Sequence, residues 1–428
     1  MNDEFPEALQ IEITNKCNFN CQMCIRRVWN AKPIEINMTL YRKIARTCFS
    51  RIKRLILYGF GEPFIHPKIL EMLRIARKTL PDYGEIIIST NGSLINSETA
   101  RKVVKEIDSI SFSVDAVSRT KLSYIREGSD LNLTTKNIER LVKTKNEAGR
   151  DFKLGLEAVI LTDNFLDIPR IVKFAIDYDF DFMMLSHVVP YTKEIFAKSV
   201  YVTLSEPTIE ILKPSLKYRW DLVHKSTLEL FGKTYGVEMD AISTQLVRSF
   251  WTEGKKKDYW INLPLFLSST EKLDALSLLK EVFHKSQKIA HQYQLDLKLL
   301  NLYPDAKVRK CPYTEKKTTV IRVDGSLSPC QEFMYTHPLY VNTHKKDIHE
   351  IIFGKITQRS IEEIWSMEAY VNFREIRRDI AKNIPWCGDC PYSTLGCFFT
   401  KSNDVDCYAN KPTCNECLYS VNLAQCNI

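Results

Sequence analysis

An open α/β barrel of six strand–helix units, followed by a cysteine-rich C-terminal domain, is the architecture this sequence predicts. Three observations carry that expectation. Strand-like and helix-like segments alternate from residue 8 to residue 188. Three cysteines stand just after the first strand-like run. Nine of the thirteen cysteines fall within residues 301–428.

The expected strands are 9–14, 55–58, 85–90, 110–114, 153–161 and 182–188. Each is a short apolar run, as strands buried on both faces tend to be. Helical periodicity fills 38–52, 67–79, 97–106, 131–147 and 167–178. Alternation of this kind favours parallel strands joined by right-handed crossovers. A closed barrel needs eight units, so six predict a partial, TIM-like (β/α)6 barrel. Reactive residues of such folds gather at the C-terminal ends of the strands. Cys17 lies three positions beyond the first expected strand.

The chain has 428 residues, 44% of them hydrophobic, enough for a sizeable core and two or three domains. The expected division is 1–195 for the α/β core, 196–305 for an aromatic and lysine-rich insertion or linker, and 306–428 for the cysteine-rich domain. The sequence has no apolar run of membrane-spanning length and no signal-peptide pattern at its start. A cytoplasmic location without membrane attachment is therefore expected. Cysteines in a reducing compartment point to metal ligation rather than to disulfides. The formal charge of +8 is modest for this length. Lys255, Lys256 and Lys257 read as a solvated face, and no nucleic-acid partner is expected. A mild positive field suits an acidic electron donor.

Within 196–305 one helix is expected near 270–292. Ser268 and Glu271 have capping-box spacing, and Leu273, Leu276, Leu279 and Phe283 fall on one face. The preferred reading of the region is a packing insertion.

Cys17, Cys21 and Cys24 have the spacing Cys-x3-Cys-x2-Cys. Three thiolates on a cluster that normally takes four leave one iron open for chemistry. Zinc with a distant fourth ligand, or a set of unpaired thiols, are the plainer readings. Gly59, Gly61, Glu62 and Pro63 follow the second strand, where glycines let backbone approach a ligand closely. Ser89 and Asn91 end the third strand, and Ser113 and Asp115 end the fourth. Such side chains serve either a ligand or turn chemistry. Cys48, beside Ile44 and Ala45, reads as a buried structural thiol.

Together the triad and the Gly-Glu-Pro motif resemble the radical S-adenosylmethionine (radical SAM) enzymes. That resemblance implies a 4Fe–4S cluster on the catalytic Cys17, Cys21 and Cys24, its open iron chelated by S-adenosylmethionine. It implies that Gly59, Gly61, Glu62 and Pro63 hold the amino group, with Ser89, Asn91, Ser113 and Asp115 as further cofactor contacts. Ser186 and His187 match the adenine-contacting strand, though a core histidine is an equal reading. Met23 stands where the family usually has an aromatic residue; a thioether can also pack on a ring. The implied reaction is reductive cleavage to a 5′-deoxyadenosyl radical, with a ferredoxin- or flavodoxin-like electron donor.

Cys311, Cys330, Cys387, Cys390, Cys397, Cys407, Cys414, Cys417 and Cys426 resemble the SPASM extension, which implies one or two auxiliary 4Fe–4S clusters. The gaps after Cys390 and Cys397 are six and nine residues, where the common pattern has five and three. Ligands are therefore not divided by transfer. Two closed clusters with one cysteine left over, one cluster open to substrate, and a zinc site all stay open. Glu332 and Asp406 stand beside cysteines and read as surface carboxylates before proton acceptors.

The stretches 387–418 and 185–192 resemble the radical maturases of tungsten-containing aldehyde ferredoxin oxidoreductases. This implies a protein substrate, or its metal cofactor, as target. The alternatives are a maturase of a ribosomally made peptide and a non-catalytic metal-binding adaptor. Only sixteen residues precede Cys17, so no N-terminal peptide-binding domain is expected.

Overall fold

Six parallel strands lie side by side in sequence order: β1 (Ala8–Ile11), β2 (Arg54–Ile56), β3 (Glu85–Thr90), β4 (Ser109–Ser113), β5 (Lys153–Ile160) and β6 (Phe182–His187). They come from a computed structural model that describes residues 5–218 and 241–428. The intervening helices are α1 (Met38–Cys48), α2 (Ile69–Thr79), α3 (Ser97–Glu106), α4 (Arg119–Ile125), α5 (Leu131–Ala148) and α6 (Ile168–Asp177). The expected alternation is present, with α4 as one short helix that periodicity missed.

Local chemistry explains the boundaries. Asn37 Oδ1 accepts from Leu40 N at 2.7 Å to start α1, and Asn96 Oδ1 accepts from Thr99 N at 2.9 Å to start α3. Gly149 ends α5 at φ +59°, the left-handed turn that glycine tolerates. Strand β1 stops short of residue 14 because Thr14 turns away to bridge Glu35. The chain is then already leaving the sheet as it approaches Cys17.

The sheet continues beyond the six units. Helix Thr270–Gln292 buries Leu276, Leu279 and Phe283 and packs against α6. It leads into β7 (Asp296–Lys298), which pairs parallel to β6. Residues 270–298 are thus a seventh helix–strand unit laid on the same sheet. The capping box is not formed. Ser268 closes the preceding helix, Leu263–Ser268, and its hydroxyl donates to Leu265 O at 3.0 Å, so Ser269 becomes the cap. Lys255, Lys256 and Lys257 are exposed, as expected.

The cysteine-rich region extends the other edge. Strand β8 (Thr318–Ile321) pairs parallel to β1, with Leu9 opposite both Leu55 and Thr319. Strand β9 (Ser326–Ser328) follows antiparallel. A hairpin of β10 (His337–Val341) and β11 (His344–Ile348) stands apart, and β12 (Gly354–Lys355) closes the edge beside β9. The C-terminal region therefore shares one ten-stranded sheet with the core rather than hanging from it as a separate module. Cys48 is fully buried in the core of α1, as read. Among the described residues no helix is long and apolar enough to cross a membrane.

Candidate active site

The cysteine loop leaves β1 and is held by backbone contacts. Cys24 N donates to Cys21 O at 3.1 Å, and Phe19 N donates to the Cys17 sulfur at 3.4 Å. Arg26 donates to Phe19 O and Arg27 to Cys21 O, each at 3.0 Å. Burial pushes all three thiols up, Cys21 to about 11, and the charge of Cys24 adds to the rise of both Cys17 and Cys21. The three sulfurs share one half-buried patch.

The glycine motif braces this loop. A Cβ on Gly61 would lie 2.3 Å from Thr14 O and 2.6 Å from Lys16 O. Glu62 N donates to Lys16 O at 2.8 Å. The buried Glu62 carboxylate accepts from Phe64 N at 3.1 Å, Thr90 Oγ1 at 2.7 Å and Asn91 N at 2.7 Å. Burial still pushes Glu62 up to about 6, against those three donors. Glu62 thus clamps the end of β3 to the glycine turn. Asn91 Nδ2 then reaches Asn18 Oδ1 at 2.9 Å and the Cys17 sulfur at 3.9 Å. Pro63 starts a short 3-10 turn behind Glu62.

Sequence reading missed Glu12. It is buried at the end of β1, where its carboxylate accepts from Phe60 N at 3.1 Å and from the hydroxyl of Tyr335. Burial raises it to about 7, against those two hydrogen bonds. Trp29 sits edge-on to Tyr335 at 4.5 Å and to Phe60 at 5.5 Å. These contacts join the cysteine loop, the glycine turn and the C-terminal region.

Beside the triad, a cavity of about 210 Å³ opens on β4, β5 and β6. Met23, Ser113, Arg126, Glu157 and His187 line it. Ser89 lies one strand away and donates to Glu157 Oε2 at 2.9 Å. Asp115 is fully buried and spent on protein partners: Arg126 at 2.6 Å and Val159 N at 2.8 Å. It sits behind Arg126. Burial lowers the Arg126 pKa, but the charges of Asp115, Cys21 and Glu157 carry it above its usual value. Arg126 and Glu157 carried no motif signal. His187 is 1% exposed, neither ring nitrogen has a hydrogen-bond partner, and burial holds it neutral at about 3. Ser186 accepts from Gln425 N at 3.1 Å, so the C-terminal segment crosses it.

The nine C-terminal cysteines are not one group. Cys311, Cys330, Cys414 and Cys417 line a single cavity of about 50 Å³. Burial pushes up Cys330 and Cys417, and each also feels charge from Cys311 and Cys414. Arg377 Nε donates to the Cys414 sulfur at 3.2 Å. Cys387, Cys390, Cys397 and Cys407 form the second set. Burial raises Cys387, which also feels Cys390 and Cys407; burial likewise raises Cys390, which feels Cys397 and Cys407. Cys426 belongs to neither set and lines the 210 Å³ cavity. Neither carboxylate singled out beside a cysteine is on the surface. Asp406 is buried and accepts from Tyr408 N, Asn410 N and Thr413 Oγ1, which shapes the Cys407–Cys414 loop. Glu332 pairs with His337 at 3.3 Å beside the first set.

No three His, Cys, Asp or Glu side chains among the described residues are arranged to hold a single metal ion. Residues 11–175 match the Radical SAM superfamily, and residues 311–391 match the SPASM iron–sulfur cluster-binding domain. The chain is a radical SAM enzyme with a SPASM domain.

This radical SAM enzyme is 26% identical over 428 residues to a tungsten-containing aldehyde ferredoxin oxidoreductase cofactor-modifying protein of Pyrococcus furiosus, spanning 98% of this chain and 97% of that one. It is also 26% identical over 173 residues to a GTP 3′,8-cyclase of Chlorobaculum tepidum, 40% of this chain and 51% of the cyclase. Its fold is similar to that of Streptococcus suis SuiB bound to S-adenosylmethionine, with a TM-score of 0.54, 15% identity, and coverage of 92% and 73%. It is likewise similar to anSMEcpe with bound AdoMet, with a TM-score of 0.51, 14% identity, and coverage of 95% and 93%. The enzyme uses 4Fe–4S clusters and S-adenosylmethionine.

Proposed function

We propose that this enzyme matures another protein or its metal cofactor, and that the target is a tungsten-containing oxidoreductase. The observation that supports the target is the similarity to the cofactor-modifying protein, which runs through the barrel, the middle region and the cysteine tail together. The shorter similarity to cyclases covers only part of this chain.

Cys17, Cys21 and Cys24 would hold the cluster that binds S-adenosylmethionine. Bound there, that pair supplies a 5′-deoxyadenosyl radical on reduction. The remaining work belongs to the chain. Gly61 brings bare backbone up to the start of the cysteine loop, Gly59 leaves room for the Glu12 side chain, and Glu62 fixes that backbone against β3. Arg126, held by Asp115, places a permanent positive charge at the cavity wall beside Cys21. Such a charge suits a carboxylate on the bound cofactor. Met23 contributes an apolar wall.

The two four-thiol sets would each hold a closed auxiliary cluster: Cys311, Cys330, Cys414 and Cys417 in one, Cys387, Cys390, Cys397 and Cys407 in the other. Four protein ligands leave no iron open, so these clusters would carry electrons rather than bind substrate. A ferredoxin- or flavodoxin-like donor would supply the reducing electron.

Anaerobic reconstitution with reductant and S-adenosylmethionine tests the chemistry. 5′-Deoxyadenosine is expected from the wild type and none from Cys21→Ala. Co-expression with a tungsten oxidoreductase tests the target. An increase in that enzyme's activity or a change in its mass is expected, and neither should occur with Cys21→Ala. An unchanged oxidoreductase would sink the assignment of target while leaving the chemistry intact.

A further inference from the structure

Eight of the nine C-terminal cysteines fall into two sets of four, and the ninth is placed where the radical is made. We propose that Cys426 is no cluster ligand but a hydrogen-atom donor to the carbon radical formed in the cavity. The proposal rests on the reading of the triad as the radical-generating site.

The segment carrying Cys426 is fixed by barrel residues. His187 N donates to Leu423 O at 3.0 Å, and Gln425 N donates to Ser186 Oγ at 3.1 Å. Asn427 Nδ2 donates to Ser111 Oγ at 2.9 Å, and Tyr58 OH donates to Asn427 O at 3.0 Å. Four contacts from β4, β6 and the end of β2 thus anchor the residues around Cys426. The thiol is half-buried and lines the same cavity as Met23, the neighbour of Cys24. Tyr419, which also lines the cavity, and Tyr313 hydrogen-bond it, and burial outweighs them to keep it a thiol rather than a thiolate.

A second observation says that this cavity takes a polar ligand. His187 is 1% exposed, lines the cavity, and has no partner on either ring nitrogen. Glu157 Oε1, on the same wall, is buried and unpartnered too. Buried polar atoms left without partners cost stability unless something else satisfies them. Cys426 faces the space where that ligand would lie.

The S–H bond is weaker than the C–H bond formed at its expense. The step is R• plus H–S of Cys426 giving R–H plus a Cys426 thiyl radical: the C–H bond forms as the S–H bond breaks. The thiyl returns to thiol with one electron and one proton. The electron comes from the low-potential donor class that the cleavage of S-adenosylmethionine already consumes. The Tyr419 hydroxyl is placed to pass the proton.

The test uses reconstituted holoenzyme in D2O with S-adenosylmethionine and dithionite, without substrate, so that the radical is quenched inside the cavity. Wild type is expected to give 5′-deoxyadenosine carrying one solvent deuterium. Cys426→Ala and Cys426→Ser should both lose that deuterium and keep wild-type iron per chain. Cys426→Ser keeps a hydrogen-bonding group toward Tyr419 and Tyr313 but has no hydrogen that a carbon radical readily takes. Loss of iron from both variants would make Cys426 a cluster ligand and overturn the proposal. Deuterium in the variants equal to wild type would overturn it as well. Undeuterated 5′-deoxyadenosine from wild type would refute the donor role alone. No 5′-deoxyadenosine at all would refute the reading of the triad beneath it.

Discussion

Replacing Gly61 with alanine should damage the cysteine loop more than the fold. The added Cβ would meet Thr14 O at 2.3 Å, Lys16 O at 2.6 Å and Thr14 C at 2.8 Å. All three atoms are backbone, so no side chain can swing aside. The glycine turn and the loop must part by about 0.7 Å to reach even a 3.0 Å contact. Overpacking of this kind costs roughly 1–3 kcal/mol. The same separation breaks the Glu62 N to Lys16 O bond, one residue before Cys17. Misplacement of a reacting geometry by about 1 Å costs roughly a hundredfold in rate. Gly61→Ala should therefore lower 5′-deoxyadenosine formation by about two orders of magnitude. Iron at the triad should fall while the two auxiliary sets stay loaded. Gly149→Ala is the control, because it meets nothing within 4 Å and pays only for φ +59°. The assays are iron per chain, product formation and the thermal midpoint. Wild-type iron and rate in Gly61→Ala would refute the claim that this close approach positions the loop.

Asp115→Asn should destabilise the protein by roughly 3 kcal/mol, the low end for a broken buried pair, because Arg126 loses its directly paired carboxylate and keeps only the nearby charge of Glu157. Denaturation midpoints check this, and the double variant with Arg126→Met should recover most of the loss. Glu12→Gln addresses pH. The folded pKa of Glu12 is raised to about 7, so its contribution to stability is intact below the usual carboxylate range and is lost as pH climbs through 7. The wild-type thermal midpoint should therefore fall between pH 5 and about 8 more steeply than that of Glu12→Gln; parallel curves would contradict it. Cys414→Ala and Cys390→Ala should each lose about four irons, one cluster, and leave the triad loaded. A variant that emptied both auxiliary sites would mean that the two sets are not independent.

The residues legible in the sequence were those whose chemistry depends on spacing. Cys17, Cys21 and Cys24 had to be a local loop to wrap one cluster, so their pattern survives without the fold. Gly59, Gly61 and Glu62 were legible as a motif, but what Glu62 clamps was not, because Thr90 and Asn91 arrive from another strand. Asp115 and Ser113 stood together at one strand end, yet only Ser113 reaches the cavity, since Asp115 turns back to Arg126. Ser268 and Glu271 had the right spacing for a capping box, but an earlier helix had already claimed Ser268. Spacing reports what neighbours in sequence could do, and tertiary packing decides which of them do it.

By itself the sequence determined the six-strand parallel order, the place of the triad after β1, and the presence of two cysteine-bearing regions. These follow from hydrophobic period and local ligand spacing, both properties of short stretches of chain. Only the tertiary structure decided that β7 and β8 extend one sheet, that eight distant cysteines divide four and four, and that Cys426 returns to the cavity beside Met23. Each depends on contacts between residues far apart in sequence. Such contacts arise from burial of a shared core and leave no periodic trace in the chain.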